Sequence, residues 1–409
     1  RLTEEAGMFA GLTTEEANKP IALHLEKIGA LFALKKIEHQ YPHCWRCHKP
    51  VIFRATSQWF CSVDDFKDEA VKAAEDVKWF PEWGKDRLQS MVKERADWCI
   101  SRQRKWGVPI PVVYCQDCGK EIIDNDVMMK VSKIFGEEGS DAWFAHDTEY
   151  FLPEGFKCPH CGSDKGFDKE KDIMDVWFDS GSSYAAVCRK RGYLKVPADV
   201  YLEGADQYRG WFQSSLLTSV AGGNGAPSKQ IITHGWTVDG EGKKMSKSLG
   251  NGIDPQEIVG KYGADILRLW VASADYHADI RISPEILKQI SDNYRKLRNT
   301  ARYCLSNLYD FNPDSDMVSN DELEELDKYA LMKLDEVLEI ARNAFEVYDY
   351  HTAAHSLHNF CVVEMSNFYF DVLKDRLYTS APESKTRRAA QTVLYKVLDA
   401  LTLILTPIL

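Results

Sequence analysis

The chain has 409 residues, of which 44% are hydrophobic and 28% are charged, and its net charge is −11 at pH 7. This length predicts two to four structural units, and the composition is typical of a globular protein rather than a disordered or fibrous one. No apolar run approaches the roughly 18 residues that a membrane-spanning helix needs, so no membrane partner is expected. The acidic charge argues weakly against a nucleic-acid partner, since a whole-chain sum conceals local basic patches.

Both ends of the chain resemble cut ends rather than natural termini. The N-terminal RLTEEAGMF has neither an initiator methionine nor the charged-then-apolar pattern of a signal peptide, and the C-terminal LTLILTPIL stops on an apolar run. We therefore expect the chain to be a piece of a longer protein.

Hydrophobic patterning divides the chain into a mixed region followed by a helical one. The elements predicted for the mixed region are, in chain order, a helix in ANKPIALHLEKIGAL, a strand in VIFRAT, a helix over 64–77, a strand in PIPVVY, strands in DVWFDSG and DVYLEG, a helix over 209–220 and a strand in QIITHGW. The stretch from 114 to about 171 interrupts this series and is rich in loops. Such alternation predicts a parallel sheet that is interrupted by a small inserted domain.

From about residue 271 onward the pattern is helical throughout. Ser283, Pro284 and Glu285 supply a capping hydroxyl, a proline at the first helical position and an acid in the first turn, which together predict a helix start. Three further helices are predicted at about 320–347, 351–377 and 384–405. The last third is therefore expected to be an α-helical bundle, and its first helix carries the basic residues Lys288, Arg295, Lys296, Arg298 and Arg302.

Two pairs of cysteines in the loop-rich stretch have the spacing of metal ligands. Cys115-x-x-Cys118 and Cys158-x-x-Cys161 are each followed by glycine, and two intervening residues let a tight turn present both sulfurs to one ion. Four sulfurs complete a tetrahedral Zn²⁺ site, which leaves no open position for water and so predicts a structural role. The alternative is four reduced cysteines in a core.

A third pair, Cys44 and Cys47 in HCWRCHKP, has no obvious second half. We interpret it as half of a metal site whose remaining ligands lie outside this sequence, with a coincidental pair as the alternative. The CxxC pairs fit metal ligation in a reducing compartment better than secreted cross-links, so we expect a cytoplasmic protein.

The segment KKMSKSLGN, residues 243–251, places three lysines on a glycine-flanked loop of an otherwise acidic chain. Such a loop can close over a polyphosphate, and lysine supplies point charge where negative charge develops during a reaction. On composition alone, a solvated surface loop is the alternative.

Within this loop KMSKS, residues 244–248, resembles the signature loop of the class I aminoacyl-tRNA synthetases. Six motifs, in order between about residues 40 and 275, together resemble the isoleucyl-tRNA synthetases of that class: YPHCWRCHKPVIFRAT, DWCISRQRKWGVPIP, DVWFDSGSS, YLEGADQYRGWF, THGWTVDGEGKKMSKSLGN and GADILRLWVAS. The helical remainder resembles them more weakly, and the four-cysteine insertion is similar to that of a bacterial subset. The resemblance implies an α/β fold: the C-terminal half of a Rossmann-like class I catalytic domain with a zinc-ribbon-like insertion, followed by an α-helical bundle.

The same resemblance implies a division of the chain into successive segments. They are the end of an editing insertion with a connecting segment (1–48), a first catalytic part (49–113), the zinc-binding insertion (114–171), a second catalytic part with the KMSKS loop (172–270), a stem-contact region (271–310) and a truncated helical anticodon-binding domain (311–409). The other class I signature, a His-x-Gly-His or His-x-Gly-Asn tetrapeptide, does not occur in the sequence. The first half of the catalytic domain is therefore expected to be missing.

By this resemblance, individual residues acquire expected roles. Lys247 and, secondarily, Lys244 would stabilise the triphosphate of ATP in the transition state. His234 and Gly235 would let the backbone approach the adenine or ribose, with a structural turn as the alternative. The residues expected to contact isoleucyl-adenylate are Glu203, Asp206, Gln207, Trp177 and Trp211. The two tryptophans would wall the isoleucine pocket or, alternatively, pack in the core.

The implied activity is the ligation of isoleucine to tRNA(Ile), with ATP and Mg²⁺ as substrate and Zn²⁺ as a structural ion, in a protein that is monomeric when complete. The basic helix over 288–302 would contact tRNA phosphates, or else form a solvated face. Alone, the chain is expected to be inactive, because it lacks half of the catalytic domain as well as the editing pocket. The alternatives are a valyl or leucyl relative, a non-catalytic zinc-dependent tRNA-binding module and an unrelated nucleotidyltransferase with a convergent lysine loop.

Overall fold

The structure, a computed structural model, describes residues 1–44, 47–53, 55–246 and 250–409, which form two compact units, Arg1–Ser57 and Gln58–Leu409. The α-helices are α1 (Thr14–Lys27), α2 (Lys67–Ala73), α3 (Trp83–Lys93), α4 (Asn125–Glu138), α5 (Ala142–Ala145), α6 (Thr148–Phe151), α7 (Val176–Gly181), α8 (Trp211–Ala221), α9 (Pro255–Tyr262), α10 (Ala264–Ser273), α11 (Pro284–Ser306), α12 (Glu325–Glu346), α13 (Tyr350–Asn359), α14 (Phe370–Thr379) and α15 (Lys385–Leu405). The strands are β1 (Phe60–Cys61), β2 (Lys78–Phe80), β3 (Trp98–Cys99), β4 (Ser101–Arg102), β5 (Val113–Cys115), β6 (Glu121–Ile122), β7 (Phe167–Lys169), β8 (Ile173–Met174), β9 (Tyr201–Gly204), β10 (Gln230–His234), β11 (Thr237–Val238) and β12 (Ile280–Arg281).

The first unit is built around helix α1, which confirms the helix predicted in ANKPIALHLEKIGAL. Its start is a capping box: the Thr13 hydroxyl accepts from the Glu16 N–H at 3.2 Å, and the Glu16 carboxylate accepts from the Thr13 N–H at 2.8 Å. The strand predicted in VIFRAT is wrong for the described residues of that segment, which lie outside any strand. Ile52 and Phe53 are 63% and 83% exposed, so neither face of the segment packs on a core that would hold it in a sheet.

The centre of the second unit is a three-stranded parallel sheet in the order β2-β10-β9. Its strands bury Trp79, Tyr201 and Ile231, and helix α8 covers the sheet with an almost wholly buried surface. The central strand β10 is buried on both faces at Ile231, Ile232 and Thr233, as is characteristic of a strand inside a parallel sheet. The predicted parallel sheet, the strands in DVYLEG and QIITHGW and the helix over 209–220 are thus confirmed.

A small antiparallel sheet, in the order β6-β5-β7, forms the inserted domain. It packs with α4 and α6 around a core that includes the fully buried Trp143 and Phe151. The insertion between halves of the parallel sheet is therefore confirmed, while the exact segment boundaries stay a prediction. Of the strand predicted in PIPVVY, only Val113 and Tyr114 belong to β5.

The strand predicted in DVWFDSG is wrong, because Val176–Gly181 forms the short helix α7. Asp175 caps this helix: its Oδ1 accepts a hydrogen bond from the Trp177 N–H at 3.3 Å. The carboxylate is held there from the other side by Trp98 Nε1, at 3.0 Å from Oδ2. A capping aspartate held by a distant residue overrides the strand tendency of the apolar residues that follow it.

The helical prediction for the last third is confirmed. Helix α11 begins at Pro284, and the Ser283 hydroxyl accepts from the Ile286 N–H at 3.3 Å as the predicted cap. The helix predicted over 351–377 is observed as α13 and α14, joined without a break by the π-helical segment Phe360–Tyr369. Among the helices described, none is long and apolar enough to cross a membrane.

A buried carboxylate joins three parts of the helical bundle. Asp327, in the first turn of α12, is 0% exposed. It accepts hydrogen bonds from Tyr369 Oη at 2.6 Å and from both terminal nitrogens of Arg376 at 2.9 and 2.8 Å. Because each of these groups is removed from water, their mutual pairing is what makes the burial tolerable.

We expect Asp327→Ala to lower the free energy of unfolding by about 2–4 kcal/mol, because the partly buried Arg376 guanidinium and the Tyr369 hydroxyl lose their shared acceptor. Among the described carboxylates, only Glu324, at 3.4 Å, still pairs with Arg376. The matched control is Asp371→Ala, which breaks an ion pair with Lys374 whose side chains are more than half exposed. That change should cost less than about 1 kcal/mol. Urea unfolding followed by circular dichroism measures both, and equal losses for the two variants would contradict the prediction.

Candidate functional site

The candidate site lies at the carboxyl ends of β9 and β10. In the parallel register Glu203 pairs with Thr233 and Gly204 with His234, so the exposed Glu203 and His234 come to the same edge of the sheet. Ligands of open α/β sheets bind in the crevice beyond the carboxyl ends of the strands. The structure therefore brings two of the predicted residues to the edge where a ligand would be expected.

Asp206 and Gln207 continue directly from β9 into the 3₁₀ turn Ala205–Arg209. Gln207 Nε2 donates to Asp206 Oδ2 at 3.2 Å, and Gln207 Oε1 accepts from the Trp211 N–H at 2.8 Å, the first residue of α8. A methyl group on Gly204 would lie 2.8 Å from Asp206 Oδ1 and 3.5 Å from the His234 ring. Asp206, Gln207 and His234 therefore surround the end of β9.

The two predicted tryptophans begin neighbouring helices. Trp211 stacks on Tyr201 at 4.1 Å between ring centroids, and its Nε1 donates to the Ser180 carbonyl in α7 at 2.9 Å. Trp177, which is 41% exposed, lies on the same helix α7. A side chain at Gly210 would come within 3.1 Å of the Trp177 ring. The structure places the two tryptophans on adjacent helices, α7 and α8. Trp211 also packs on the core, and the binding role of both residues stays a prediction.

Gly235 lies where two backbone segments touch. Its N–H donates to the Tyr276 carbonyl at 2.8 Å, and a Cβ placed on it would lie 2.3 Å from the Ala278 carbonyl oxygen. Only glycine permits so close an approach. The structural reading of His234-Gly235 thus has a physical basis in the structure, and contact with the nucleotide stays a prediction.

Lys244 is the one predicted catalytic residue that the described residues include, since Lys247 lies outside them. A β-bridge joins Lys244 to Val238, and its ammonium lies 4.6 Å from the centre of the Trp236 ring. This contact places the Lys244 ammonium beside Trp236, in the segment that follows His234.

Asn251 and Asp239 close the base of the lysine loop. Asn251 Nδ2 donates to Asp239 Oδ2 at 2.8 Å and to the Lys244 carbonyl at 3.3 Å, while Asn251 Oδ1 accepts from the Ser246 N–H at 2.9 Å. The bond from Asn251, together with the Lys243 N–H, holds the pKa of Asp239 below its usual value. Asp239 therefore remains an ionised acceptor, and the two ends of the loop stay together.

Sequence reasoning missed the polar side chains that hold these elements in place. Asp175, 4% exposed, forms an ion pair with Arg102 at 3.0 Å in addition to capping α7. Asn251 is the last residue of the lysine segment and was not distinguished from a loop residue. The available signals were an aspartate immediately before an apolar run, which is a capping pattern, and an asparagine after glycine.

The four predicted cysteines come together in the inserted domain. The sulfur atoms of Cys115 and Cys161 lie 3.7 Å apart, those of Cys118 and Cys158 lie 3.8 Å apart, and all four fall within 4.8 Å of one another. Four sulfurs bound tetrahedrally at about 2.3 Å from one ion would be about 3.8 Å apart. The cluster therefore has the dimensions of a four-thiolate metal site.

The two halves of this cluster have the same backbone. In each, the first cysteine N–H donates to the carbonyl five residues on, and its carbonyl accepts from a glycine four residues on at 2.8 Å. Those glycines, Gly119 and Gly162, have φ of +71° and +77°. Burial acts to raise the pKa of Cys158, but N–H groups of Cys161 and His160 and the neighbouring thiols lower it to about 6. A backbone N–H two residues on acts to lower the pKa of Cys161, but burial and the neighbouring thiols raise it to about 12, so one sulfur of the pair ionises at the expense of the other. A thiolate is the form that binds a metal.

The first cysteine of the third pair makes the same two backbone hydrogen bonds. The Cys44 N–H donates to the Lys49 carbonyl at 2.9 Å, and the Cys44 carbonyl accepts from the His48 N–H at 2.8 Å. His48 has φ of +56°, a conformation that favours glycine, where the other two turns have glycine. The two backbone hydrogen bonds of Cys44 thus match those of Cys115 and Cys158, and metal binding by Cys44 and Cys47 stays a prediction.

Two family models match the chain. The model of class I tRNA synthetases (I, L, M and V) matches residues 11–283, and that of the anticodon-binding domain of tRNA ligases matches residues 327–409. Proteins named isoleucine–tRNA ligase from Caldicellulosiruptor bescii and Thermoanaerobacter sp. X514 are 59% and 58% identical over 408 and 407 residues. Each alignment covers 100% of this chain but 44% of the relative, so the chain spans less than half of their length.

Solved structures are similar in fold. A methionyl-tRNA synthetase of Mycobacterium tuberculosis in complex with methionyl-adenylate superposes with a TM-score of 0.63 at 20% identity, covering 90% of this chain and 64% of that one. A leucyl enzyme of Agrobacterium radiobacter K84 gives a TM-score of 0.55 at 22% identity over 76% of this chain and 39% of that one. At such identities the likeness shows the fold alone.

We expect Gly235→Ala to destabilise the second unit by about 1–3 kcal/mol, since the new methyl overlaps the Ala278 carbonyl and forces the two backbones apart. Gly252→Ala is the control, because a Cβ at that position has no heavy atom within 4 Å. That control should stay within about 0.5 kcal/mol of the parent. Urea titration measures both, and an unchanged midpoint for Gly235→Ala would show that the close contact is not maintained in solution.

Proposed function

The chain belongs to the class I tRNA synthetases of the I, L, M and V group, and from this we propose that it is part of an isoleucine–tRNA ligase. In the complete protein the isoleucine carboxylate attacks the α-phosphorus of ATP, and pyrophosphate leaves. The acyl group of the resulting isoleucyl-adenylate then passes to the terminal ribose of tRNA(Ile). Supporting the choice of isoleucine are the 59% and 58% identities to relatives of that name over the whole chain.

One observation carries the proposal: Asp206, Gln207 and His234 surround the end of β9, and Glu203 lies at the same carboxyl edge of the sheet. Glu203 is the carboxylate that pairs with the α-amino group of isoleucine, a charge-assisted contact. Trp177 and the exposed part of Trp211 form walls of the apolar pocket, and Gly210 leaves them the room. The backbone at His234 and Gly235 borders the nucleotide.

The lysine loop acts on the triphosphate of ATP, which arrives with Mg²⁺. Phosphoryl chemistry of this kind needs positioning and charge neutralisation more than covalent help from the protein. Lys247 and Lys244 place positive charge against the departing pyrophosphate, and a loop hinged at the Asn251–Asp239 bond can move onto the phosphates and away again. His234 ends β10, and Gly235 follows it on the segment that leads towards this loop.

The helical part binds tRNA. Helices α12 to α15 correspond to the segment matched by the anticodon-binding model, and α11 carries the basic residues that would meet stem phosphates. An acidic chain with such a local basic helix fits a protein that binds one RNA rather than nucleic acid in general. The complete protein is proposed to be monomeric and cytoplasmic.

The cysteine cluster holds Zn²⁺, because thiolate sulfurs at these separations match its preferred tetrahedron. Bound by Cys115, Cys118, Cys158 and Cys161, the ion would fold the inserted domain and take no part in the reaction, since no position is left for water. Cys44 and Cys47 are half of a second site, completed by sequence outside this chain.

We expect the chain alone to give no isoleucine-dependent ATP–pyrophosphate exchange, and exchange to arise when the remaining segment of a longer relative is added as a separate polypeptide. The physical reason is that the residues at β9 and β10 form only one side of the crevice. Exchange is measured with isoleucine, valine and leucine in parallel. A preference for valine or leucine would overturn the substrate, and exchange by the chain alone would overturn the half-site argument.

The control is Lys247→Ala in the same mixture. Because the lysine acts on the triphosphate, exchange should fall by about 10²-fold or more while tRNA affinity, measured by filter binding, stays within about twofold. A non-catalytic tRNA-binding module would give the opposite result. Lys247→Ala would lower tRNA affinity, and ATP–pyrophosphate exchange would be either unaffected by the substitution or absent from both mixtures.

We expect one Zn²⁺ per chain at the cysteine cluster, measured by atomic absorption after dialysis, and its loss in Cys158→Ser. The inserted domain should then open, which proteolysis between residues 113 and 169 detects. Cys188→Ser is the control, because Cys188 lies outside the cluster. If the unsubstituted chain carries no zinc and is cleaved between residues 113 and 169 as slowly as Cys158→Ser, the result would favour four reduced cysteines in a core.

A further inference from the structure

Tyr276 joins the candidate site to the helical bundle. Its backbone carbonyl accepts the N–H of Gly235 at 2.8 Å, and its hydroxyl donates to the backbone carbonyl of Tyr348 at 2.9 Å. Tyr348 lies in the turn between α12 and α13, within the segment matched as anticodon-binding, whereas Tyr276 and Gly235 lie within the segment matched as synthetase. One side chain therefore bridges the two family segments.

On the site side, the loop after β10 depends on the segment that contains Tyr276. Trp236 N–H donates to Asp279 Oδ1 at 2.8 Å, and the Trp236 carbonyl accepts from the Ile280 N–H at 2.8 Å. Together with the close approach of Gly235 to Ala278, these bonds fix the position of the 235–236 backbone relative to residues 276–280. A shift of the Tyr276 segment must move it.

On the bundle side, Tyr348 occupies a strained position. It has φ of +59° at the end of α12, where glycine is the usual residue, and the Asp349 N–H closes the turn on the Ala344 carbonyl at 2.8 Å. A non-glycine residue persists in such a conformation only where its surroundings over-determine it. The strain points to a use for this side chain.

The use is contact with the parallel sheet. The Tyr348 ring meets Phe80, at the end of β2, edge to face at 4.9 Å, and its hydroxyl donates to Gln230 Oε1 at 3.3 Å. Gln230 is the first residue of β10, the strand that ends at His234. Tyr348 thus contacts the start of β10, and Tyr276 contacts the loop that follows the end of β10.

We propose that Tyr276 is a positioning residue through which the α12–α13 turn sets the backbone of Gly235 and Trp236 beside the nucleotide. This inference rests on the proposed function, since it takes the 235–236 backbone to border ATP. Burial raises the pKa of the Tyr276 hydroxyl above its usual value, so that it keeps its proton and donates. A ligand that binds the helical bundle and shifts the α12–α13 turn would thereby change ATP binding without contacting ATP.

The first test is hydrogen exchange of the 409-residue chain, followed by mass spectrometry on peptides that cover 231–238. In Tyr276→Phe the amides of Gly235 and Trp236 should exchange about five to ten times faster, the factor expected when one hydrogen bond that holds a segment is lost. Tyr303→Phe is the matched control, since it removes a tyrosine hydroxyl from a backbone carbonyl at 3.1 Å within the bundle, away from the loop. Unchanged exchange in Tyr276→Phe overturns the proposal, whatever the enzyme's activity.

The second test is kinetic. It uses the 409-residue chain mixed with the remaining segment of a longer relative, added as a separate polypeptide. Tyr276→Phe should raise KM for ATP about tenfold and leave KM for isoleucine unchanged, while Tyr303→Phe changes neither. A general loss of structure would instead raise both constants or abolish activity. Faster hydrogen exchange in Tyr276→Phe with an unchanged KM for ATP would overturn the inference that the 235–236 backbone borders the nucleotide. If the unsubstituted mixture gave no ATP–pyrophosphate exchange, the proposed function would be overturned, while the link between Tyr276 and the 235–236 backbone would stand.

Discussion

The parallel pairing of β9 with β10 is the interaction on which the candidate site depends. Two residues per strand, Glu203 with Thr233 and Gly204 with His234, are placed side by side by backbone hydrogen bonds alone. Everything else at the site is arranged around these strand ends: the turn after β9 supplies an acid and an amide, and the loop after β10 leads to the lysines. A slip of one residue would turn the side chains of β9 to the opposite face of the sheet and disperse the group.

Around this edge, polar side chains act together with apolar packing to position the aromatic residues. Asp175 caps α7 and Gln207 lies in the turn before α8, and each side chain accepts a backbone N–H of a tryptophan. A hydrogen bond constrains direction as well as distance, whereas apolar contact tolerates rotation. The lysine loop follows the same pattern, since Asn251 donates both to Asp239 and to the Lys244 carbonyl.

Structure far from the edge is stabilised by other means. The inserted domain has a small core, and the four cysteine sulfurs lie at the separations of a metal tetrahedron beside it. The bundle buries the Asp327–Arg376 pair, which fixes how its helices meet. The contact between Tyr276 and Tyr348 then ties that bundle to the loop beyond β10. The parts are therefore mechanically continuous from the bundle to the candidate site.

The sequence by itself determined the features whose cause is local. The Ser283 cap predicted the start of α11, and the CxxC spacing at Cys115 and at Cys158 predicted the tight turns that the structure shows there. Only tertiary structure decided that DVWFDSG is a helix and that the Cys115 sulfur faces that of Cys161. It alone placed Tyr276 between Gly235 and the bundle. The reason is physical: caps and turns depend on neighbours within a few residues, whereas these contacts join residues dozens of positions apart, whose proximity follows from the packing of the whole chain.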